Sequence, residues 1–470
     1  MILLKNISSW SLPDVFEIPF KIVIYFLLIA SLDKFEFGLI NIAMMIFSYQ
    51  ALSQIGVVDW LLYELPKRYA LNLDMDSLIK QSYSFVLINQ IFLMILVVLS
   101  IIYFDEGSGL FRFACGVYIL HTMLYNSYLH RKLYLRFNHR FARLMNVQLT
   151  FVVSKFVLQL GSLYFFGIYG FLLIEAVIYL IPIYLLKSDI DFKLYDPKWF
   201  SNYTKLVVQG FPFFVVILMS TILGNLDKWY IVGYFGVEKF ATYSVGAFLI
   251  AGIMIFPGKV LSVFIQYMKE MYVVDKNVAL NIDRNFSVNN ILLYLLVSLV
   301  LVLNSLTGYI NIFLPKYEDV SPLMGFFLLS GLLKYCVSLT SNNLYLLGRK
   351  VDVAKAQIFI AICYAFILAL NAHYDTPMIF VILSMSCVLC LQIMINLVML
   401  ITFEKVERKL ELIKFLALIF GATSYFYVDA YVENGIPMLF CLVFVNLVFF
   451  WRANRTWHNF KYIATREFSS

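Results

Sequence analysis

Apolar stretches of about twenty residues, broken by short charged segments, recur from one end of this 470-residue chain to the other. About twenty residues is what an α-helix needs to cross the hydrocarbon core of a bilayer. The repetition predicts an all-α polytopic membrane protein. Composition agrees: 62% of residues are hydrophobic and 14% charged, where soluble domains carry about half and about a quarter.

Runs set against charged breaks place about fourteen spans, near 15–32, 37–58, 80–104, 110–130, 144–166, 168–187, 206–232, 240–268, 287–314, 321–347, 353–373, 376–402, 411–429 and 435–452. Lysine and arginine test this count, because cytoplasmic loops are enriched in them. Of 36 such residues, about 27 fall in the N-terminal segment, the loops after even-numbered spans and the C-terminal tail. Loops after odd spans hold only Lys34, Arg112, Lys239 and Lys316. Both termini are therefore expected in the cytoplasm. The longest loops (59–79, 187–205 and 269–286) are about twenty residues and cytoplasmic, so no extramembrane domain is expected to house a soluble-type active site. The N-terminus lacks a small-residue cleavage site, which predicts no cleaved signal peptide. The net charge of +7 resides in boundary loops and gives no reason to expect nucleic acid.

A weak internal repeat suggests how the spans are grouped. DKFEFGLINIAMMI from Asp33 and VEKFATYSVGAFLI from Val237 each carry an acidic-basic turn, a phenylalanine and a helix start. Ile18-Pro19-Phe20 likewise echoes Phe211-Pro212-Phe213. The offset of about 200 residues predicts two six-helix lobes around a central cavity, at 1–190 and 191–405, with two appended helices and a tail at 406–470. Halves repeated in one orientation are an arrangement that transporters use.

Ionisable groups within spans are functional candidates by default, since stranding a charge there costs at least about 2.5 kcal/mol. Five cations remain after the loops are subtracted: Lys21, Lys155, Lys228, Lys259 and Lys334. The clear acids are Glu175 and Asp227. A cation-rich interior suits an anionic ligand. Lys334 shares one predicted helix face with Ser330, Ser338, Ser341, Asn342 and Tyr345, lining either a cavity or an interhelical hydrogen-bond seam. Lys259 follows the Pro257-Gly258 break and either meets substrate or snorkels to the cytoplasm. Lys155, with Gln159, is within reach of Glu175 across a tight FFGIYG turn, as a substrate group or a structural ion pair. Lys21 lies one turn from Glu17 and is expected to pair with it. Ser220, Gly224 and Asp227 share a face, which points Asp227 inward and Lys228 outward; Asp227 then either couples an ion or anchors the turn. Gly210, Pro212, Pro257 and Gly258 are the candidate hinge positions. No nucleotide loop, metal-spaced histidine cluster or Ser/His/Asp set occurs, so neither an enzyme nor a metal or organic cofactor is expected. The six cysteines read as small buried hydrophobes, Cys387-x-x-Cys390 included.

Gly210-x-Pro212-Phe213, Asp227 and the outer turn GVEKFATYSVG together resemble the mid-chain signature of bacterial Wzx-type polysaccharide flippases. These are the O-antigen and capsule-repeat transporters of the multidrug/oligosaccharidyl-lipid/polysaccharide exporter (MOP) superfamily. FEFGLINIAMMIFSYQALSQIGVVDWLLYELPKRYA is similar to the family's first outer turn, second helix and following loop, and Leu344–Lys350 to its tenth-helix exit. Ala241-Thr242 departs from the family's usual glycine, and the mid-span cations are all lysines rather than arginines. The resemblance implies alternating-access transfer of an undecaprenyl-pyrophosphate-linked oligosaccharide from the cytoplasmic to the outer leaflet. It further implies a multi-pass protein of the bacterial cytoplasmic (inner) membrane, among membrane lipids, with polysaccharide polymerase machinery as a candidate contact; no oligomerisation motif occurs, so a monomer is expected. Lys334, Lys259, Lys155 and Lys21, with Ser338 and Asn342, are then the expected substrate contacts. Asp227, Lys228 and Glu175 are the expected coupling or gating groups, with a proton or sodium ion as the candidate coupling ion. A cation-coupled multidrug exporter of the same superfamily and a membrane glycan polymerase or ligase are the alternatives. The first expects inward acids and the second a long outer loop with catalytic Arg or His.

Overall fold

The computed structural model describes residues 2–71, 73–103, 109–187, 202–248 and 314–404, and among these every regular element is helical. The elements are α1 (Ile2–Ser31), α2 (Lys34–Phe47), α3 (Val57–Ala70), α4 (Asp76–Tyr103), α5 (Gly109–Phe137), α6 (Phe141–Val177), α7 (Leu180–Leu185), α8 (Tyr203–Leu223) and α9 (Leu226–Phe235). They continue with α10 (237–248), α11 (Met324–Leu346), α12 (Lys350–His373) and α13 (Met378–Glu404). Six described stretches are long and apolar enough to cross a membrane: Lys34–Gln54, Phe141–Leu185, Tyr203–Phe235, Pro315–Tyr345, Lys350–His373 and Met378–Leu400. The spans expected at 287–314, 411–429 and 435–452 lie wholly or almost wholly outside the described residues.

The chain forms two compact units, which part between Asn225 and Leu226. That division falls in the two-residue break between α8 and α9, within the single span expected at 206–232.

In the first unit, α2 runs out through a 3-10 segment (Ser48–Gln54) into Ile55 and Gly56, whose φ angles of 45° and 67° turn the chain sharply. The segment from 57 to 70 was expected to be mostly loop; it is helix α3. Val57, Val58, Leu61 and Leu65 bury one side of it against α8 and α4, while Asp59, Glu64, Lys67 and Arg68 lower its average hydropathy. Gly56 and Gly210 meet backbone to backbone. A Cβ on Gly210 would lie 2.5 Å from the Ile55 carbonyl oxygen, and one on Gly56 would lie 2.3 Å from the Gly210 carbonyl oxygen. Pro212 sits inside α8 without ending it.

The fifth and sixth spans form a hairpin within α6, turned by one residue. Gly167 has φ 60° and ψ −151°, a region that is in practice open only to glycine. Tyr164, Phe165 and Phe166 at its tip are strongly exposed, as expected of an aromatic belt at a membrane surface. Helix α5 continues through residue 137, so Arg131, read from sequence as a loop cation, is buried in a helix.

In the second unit α11 is the most enclosed span, with 78% of its most apolar window buried. It packs chiefly on α13, and α12 packs on α13 in turn. Gly246 of α10 admits the Phe327 ring, which would lie 2.3 Å from a Cβ there. The repeated turns share local geometry. Phe37 and Phe240 open α2 and α10, each 1% exposed, and each donates its N–H four residues back, to Asp33 and Gly236. Cys115 and Cys336 are buried, but Cys387 is exposed and Cys363 and Cys390 are only half-buried. The burial expected of all six fails where a small side chain lies on an outward helix face; Cys441 lies outside the described residues.

Gly210→Ala forces a backbone shift at the α8–α3 contact and is expected to destabilise by about 1–3 kcal/mol. Thermal unfolding of the detergent-purified protein reads this as a lower transition temperature. Gly116→Ala, at an exposed helical position with nothing within 4 Å of the new Cβ, is the control and should be neutral or slightly stabilising.

Candidate functional site

In the second unit the polar groups gather around the start of α9. The helix restarts at Leu226, placing Asp227 in its first turn, where the helix dipole favours an anion. Asp227 is 1% exposed. Its Oδ2 accepts a hydrogen bond from the Tyr243 hydroxyl of α10, and its Oδ1 has no partner among the described residues. Tyr364 of α12, fully buried, lies within electrostatic range of this carboxylate, and its hydroxyl is likewise without a described partner.

Lys228 does not simply point away. It is half-buried and lies close enough to Asp227 and to Lys334 for both charges to act on it. Because α8 and α9 are separate helices, the face shared by Ser220, Gly224 and Asp227 in a continuous helix does not carry across the break.

The polar face expected on α11 divides in two. Ser330 bonds Ser386 of α13 at 2.9 Å, and Asn396 of α13 donates to Thr340 and Ser341 at 3.0 Å each. These form a hydrogen-bond seam between helices. Lys334 and Ser338 instead lie exposed, one turn apart, with Asn342 half-buried on the next turn. An ammonium midway along an apolar helix and open to its surroundings faces water or a ligand far more cheaply than lipid.

The first unit holds a second ionisable cluster. Lys155 Nζ lies 2.7 Å from Glu175 Oε1, Gln159 donates to the other oxygen, and His121 Nε2 is 4.0 Å away. The Gly167 turn brings these residues of α6 face to face. Lys21 pairs with Glu17 at 2.7 Å and adds its field to that of Lys155 at Glu175. Lys155 and Lys21 are thus each committed to a carboxylate, whereas Lys334 has none among the described residues. Lys259, Pro257 and Gly258 lie outside the described residues.

Sequence reasoning missed His121, whose approach to Glu175 depends on how α5 packs against the hairpin. It also missed a buried amide chain in which Gln54 donates to Asn126 and Asn126 to Gln90, both at 2.9 Å, with His130 bonded to the Asn126 carbonyl. Amides spaced down three apolar segments were the available signal. No three potential metal ligands cluster among the described residues.

The arrangement of helices is that of known transporters. A eukaryotic MATE transporter, AtDTX14, superposes with a TM-score of 0.69 at 13% identity, over 85% of this chain and 95% of that one. The Vibrio cholerae MATE transporter VcmN, in its bent form, gives 0.61 at 13% identity, over 86% and 97%. A MOP superfamily transporter from Pyrococcus furiosus gives 0.59 at 12%, over 84% and 94%. The chain has the MATE transporter fold. No protein-family profile and no curated protein matches the sequence.

If the Lys155–Glu175 pair is structural, Glu175→Gln strands the ammonium and is expected to cost about 3 kcal/mol, the low end for a buried pair because this one is partly exposed. The double change Lys155→Met, Glu175→Gln should recover most of that loss, with both read as transition temperatures of the purified protein.

Proposed function

We propose that this chain is a flippase that moves an undecaprenyl-pyrophosphate-linked oligosaccharide from the cytoplasmic to the outer leaflet for cell-surface polysaccharide synthesis. The observation that carries the reading is the proximity of Lys228 and Lys334 at membrane depth, with Lys334 committed to no described carboxylate. Lys228 already feels the carboxylate of Asp227 as well as the charge of Lys334, and a pyrophosphate reaching Lys334 would bring several acceptor oxygens to the ammonium that has no described carboxylate. Ser338 and Asn342, on the turns following Lys334, add a hydroxyl and an amide for sugar hydroxyls. Lysine serves phosphate as a mobile point charge, tolerating a headgroup that travels.

Asp227 is the natural coupling group, through a proton or a sodium ion, because its carboxylate is enclosed and one oxygen has no described partner. Such a site changes its preferred charge when the helices around it move. Glu175 with Lys155, and the hinge residues Gly210 and Pro212, belong in this reading to the moving frame. The protein would act as a monomer in the bacterial cytoplasmic membrane with both termini cytoplasmic, beside the polymerase machinery that consumes the flipped repeat unit.

The same Asp227 favours a second reading, a cation-coupled drug exporter, which the MATE fold accommodates equally well. The Pyrococcus furiosus relative is described as having a binding pocket of reversed polarity that suggests a different function. That description supports the view that the fold is not tied to one function.

Deletion of the gene is expected to accumulate the complete lipid-linked repeat unit on the cytoplasmic leaflet. Lys334→Ala and Lys228→Ala, at normal membrane levels, should restore less than about a tenth of the flipping, since a charge-assisted contact contributes about 1.5–3 kcal/mol. Unchanged lipid-linked glycan in the deletion strain, with altered drug sensitivity, would favour the exporter. Asp227→Asn should make turnover insensitive to an imposed proton or sodium gradient, measured in proteoliposomes.

A further inference from the structure

The first unit contains a polar cleft of about 280 Å³ that none of the groups above uses. Three helices line it. Trp60, Glu64 and Arg68 recur at four-residue spacing along α3, and Ser77 and Gln81 lie on the first turns of α4. Lys205 and Gln209 follow Asn202 on one face of α8. Its floor is apolar, since Trp60, Leu78 and Leu206 belong to the buried core cluster of this unit.

The walls are held in place before any ligand arrives. Asn202 donates to Gln81 at 3.1 Å and Gln81 to Ser77 at 3.0 Å. Arg68 donates to Glu64 at 3.1 Å and to the Asp74 carbonyl at 2.9 Å. Asp74 Oδ1 accepts the Asp76 N–H at 3.0 Å, which fixes that carboxylate at the start of α4. Lys205 and Gln209 have no partner among the described residues. Glu64 and Asp74 each keep a second carboxylate oxygen uncommitted, and the Asn202 side-chain oxygen is uncommitted too.

The charges sum to zero, with two carboxylates against Arg68 and Lys205. An anion entering the cleft would meet Glu64 and Asp74, and a cation would meet Arg68 and Lys205. A hydroxyl both donates and accepts, so a neutral polyhydroxylated ligand can use every open group, and the indole of Trp60 offers such a ring an apolar surface. The volume lies just under the range of about 300–1,000 Å³ for drug-sized ligands, which admits one sugar ring rather than an oligosaccharide. The segments that form the cleft adjoin the Lys/Arg-rich loops that charge bias assigns to the cytoplasm.

We propose that this cleft binds a single neutral sugar ring, presented by the lipid-linked glycan on the cytoplasmic face, and so selects the cargo before it reaches the lysines. This rests on the flippase reading for the source of the sugar, though not for the chemistry of the site.

The test uses the full chain in lipid nanodiscs and saturation-transfer NMR with a panel of free neutral hexoses and N-acetylhexosamines. At least one should receive saturation from the protein. The Lys205→Ala, Gln209→Ala variant, which removes two exposed side chains with no described partner, should bind that sugar about tenfold more weakly. Binding of no sugar, equal binding by the variant, or tighter binding of a uronic acid or an amino sugar than of the neutral ring overturns the site. Lipid-linked glycan extracted from the deletion strain and added to the nanodiscs should displace the free sugar. Persistence of the free-sugar signal overturns the assignment to carried glycan. Absence of accumulated glycan from the deletion strain, with sugar binding intact, overturns the flippase reading and that source together, and marks the cleft as a site for a free sugar.

Discussion

Inside a bilayer no water is at hand to complete a hydrogen bond, and each unsatisfied backbone group costs several kcal/mol. The described helices answer that constraint, and so do the places where helices stop. The chain breaks at Ile55–Gly56, Gly167 and Gly224–Asn225, and each break is managed locally. Gly56 is closed against α8, Gly167 turns in a single residue, and Asn225 bonds the Thr221 carbonyl and the Ser48 hydroxyl. Gly56 and Asn225 are thus covered by neighbouring protein, whereas Gly167 makes its turn at an exposed tip.

Much of the architecture was legible because the bilayer writes directly into hydropathy. The spans at 353–373 and 376–402 coincide with α12 and α13 to within a few residues, and the FFGIYG turn falls where its glycine requires. Helix α3 was not legible as a helix, because Asp59, Glu64, Lys67 and Arg68 interrupt its apolar side and make the segment read as a charged loop. A search for helical spacing rather than for long runs would have found Val57, Leu61 and Leu65.

The candidate site was legible by residue type and less so by grouping. A lysine within an apolar run is visible in any sequence, and Lys155 with Glu175 followed from the hairpin between them. The position of Lys228 near Lys334 did not follow, because the break at Gly224–Asn225 resets the helical phase that sequence arithmetic assumes to be continuous. The polar face of α11 was read as one surface, yet a helix with side chains every 100° can present two. Ser330, Thr340 and Ser341 fasten α11 to α13, while Lys334 and Ser338, set to one side, stay open.

The meeting of Gly56 and Gly210 has a mechanical consequence. Interlocked side chains resist relative rotation, because each must leave one groove and change rotamer to enter another. Two bare backbones in contact present no such teeth. At Gly210 helix α8 rests on the chain as a shaft rests on a bearing, with the Val57 methyl the side chain nearest the contact. A side chain at either position would turn that bearing into a wedge.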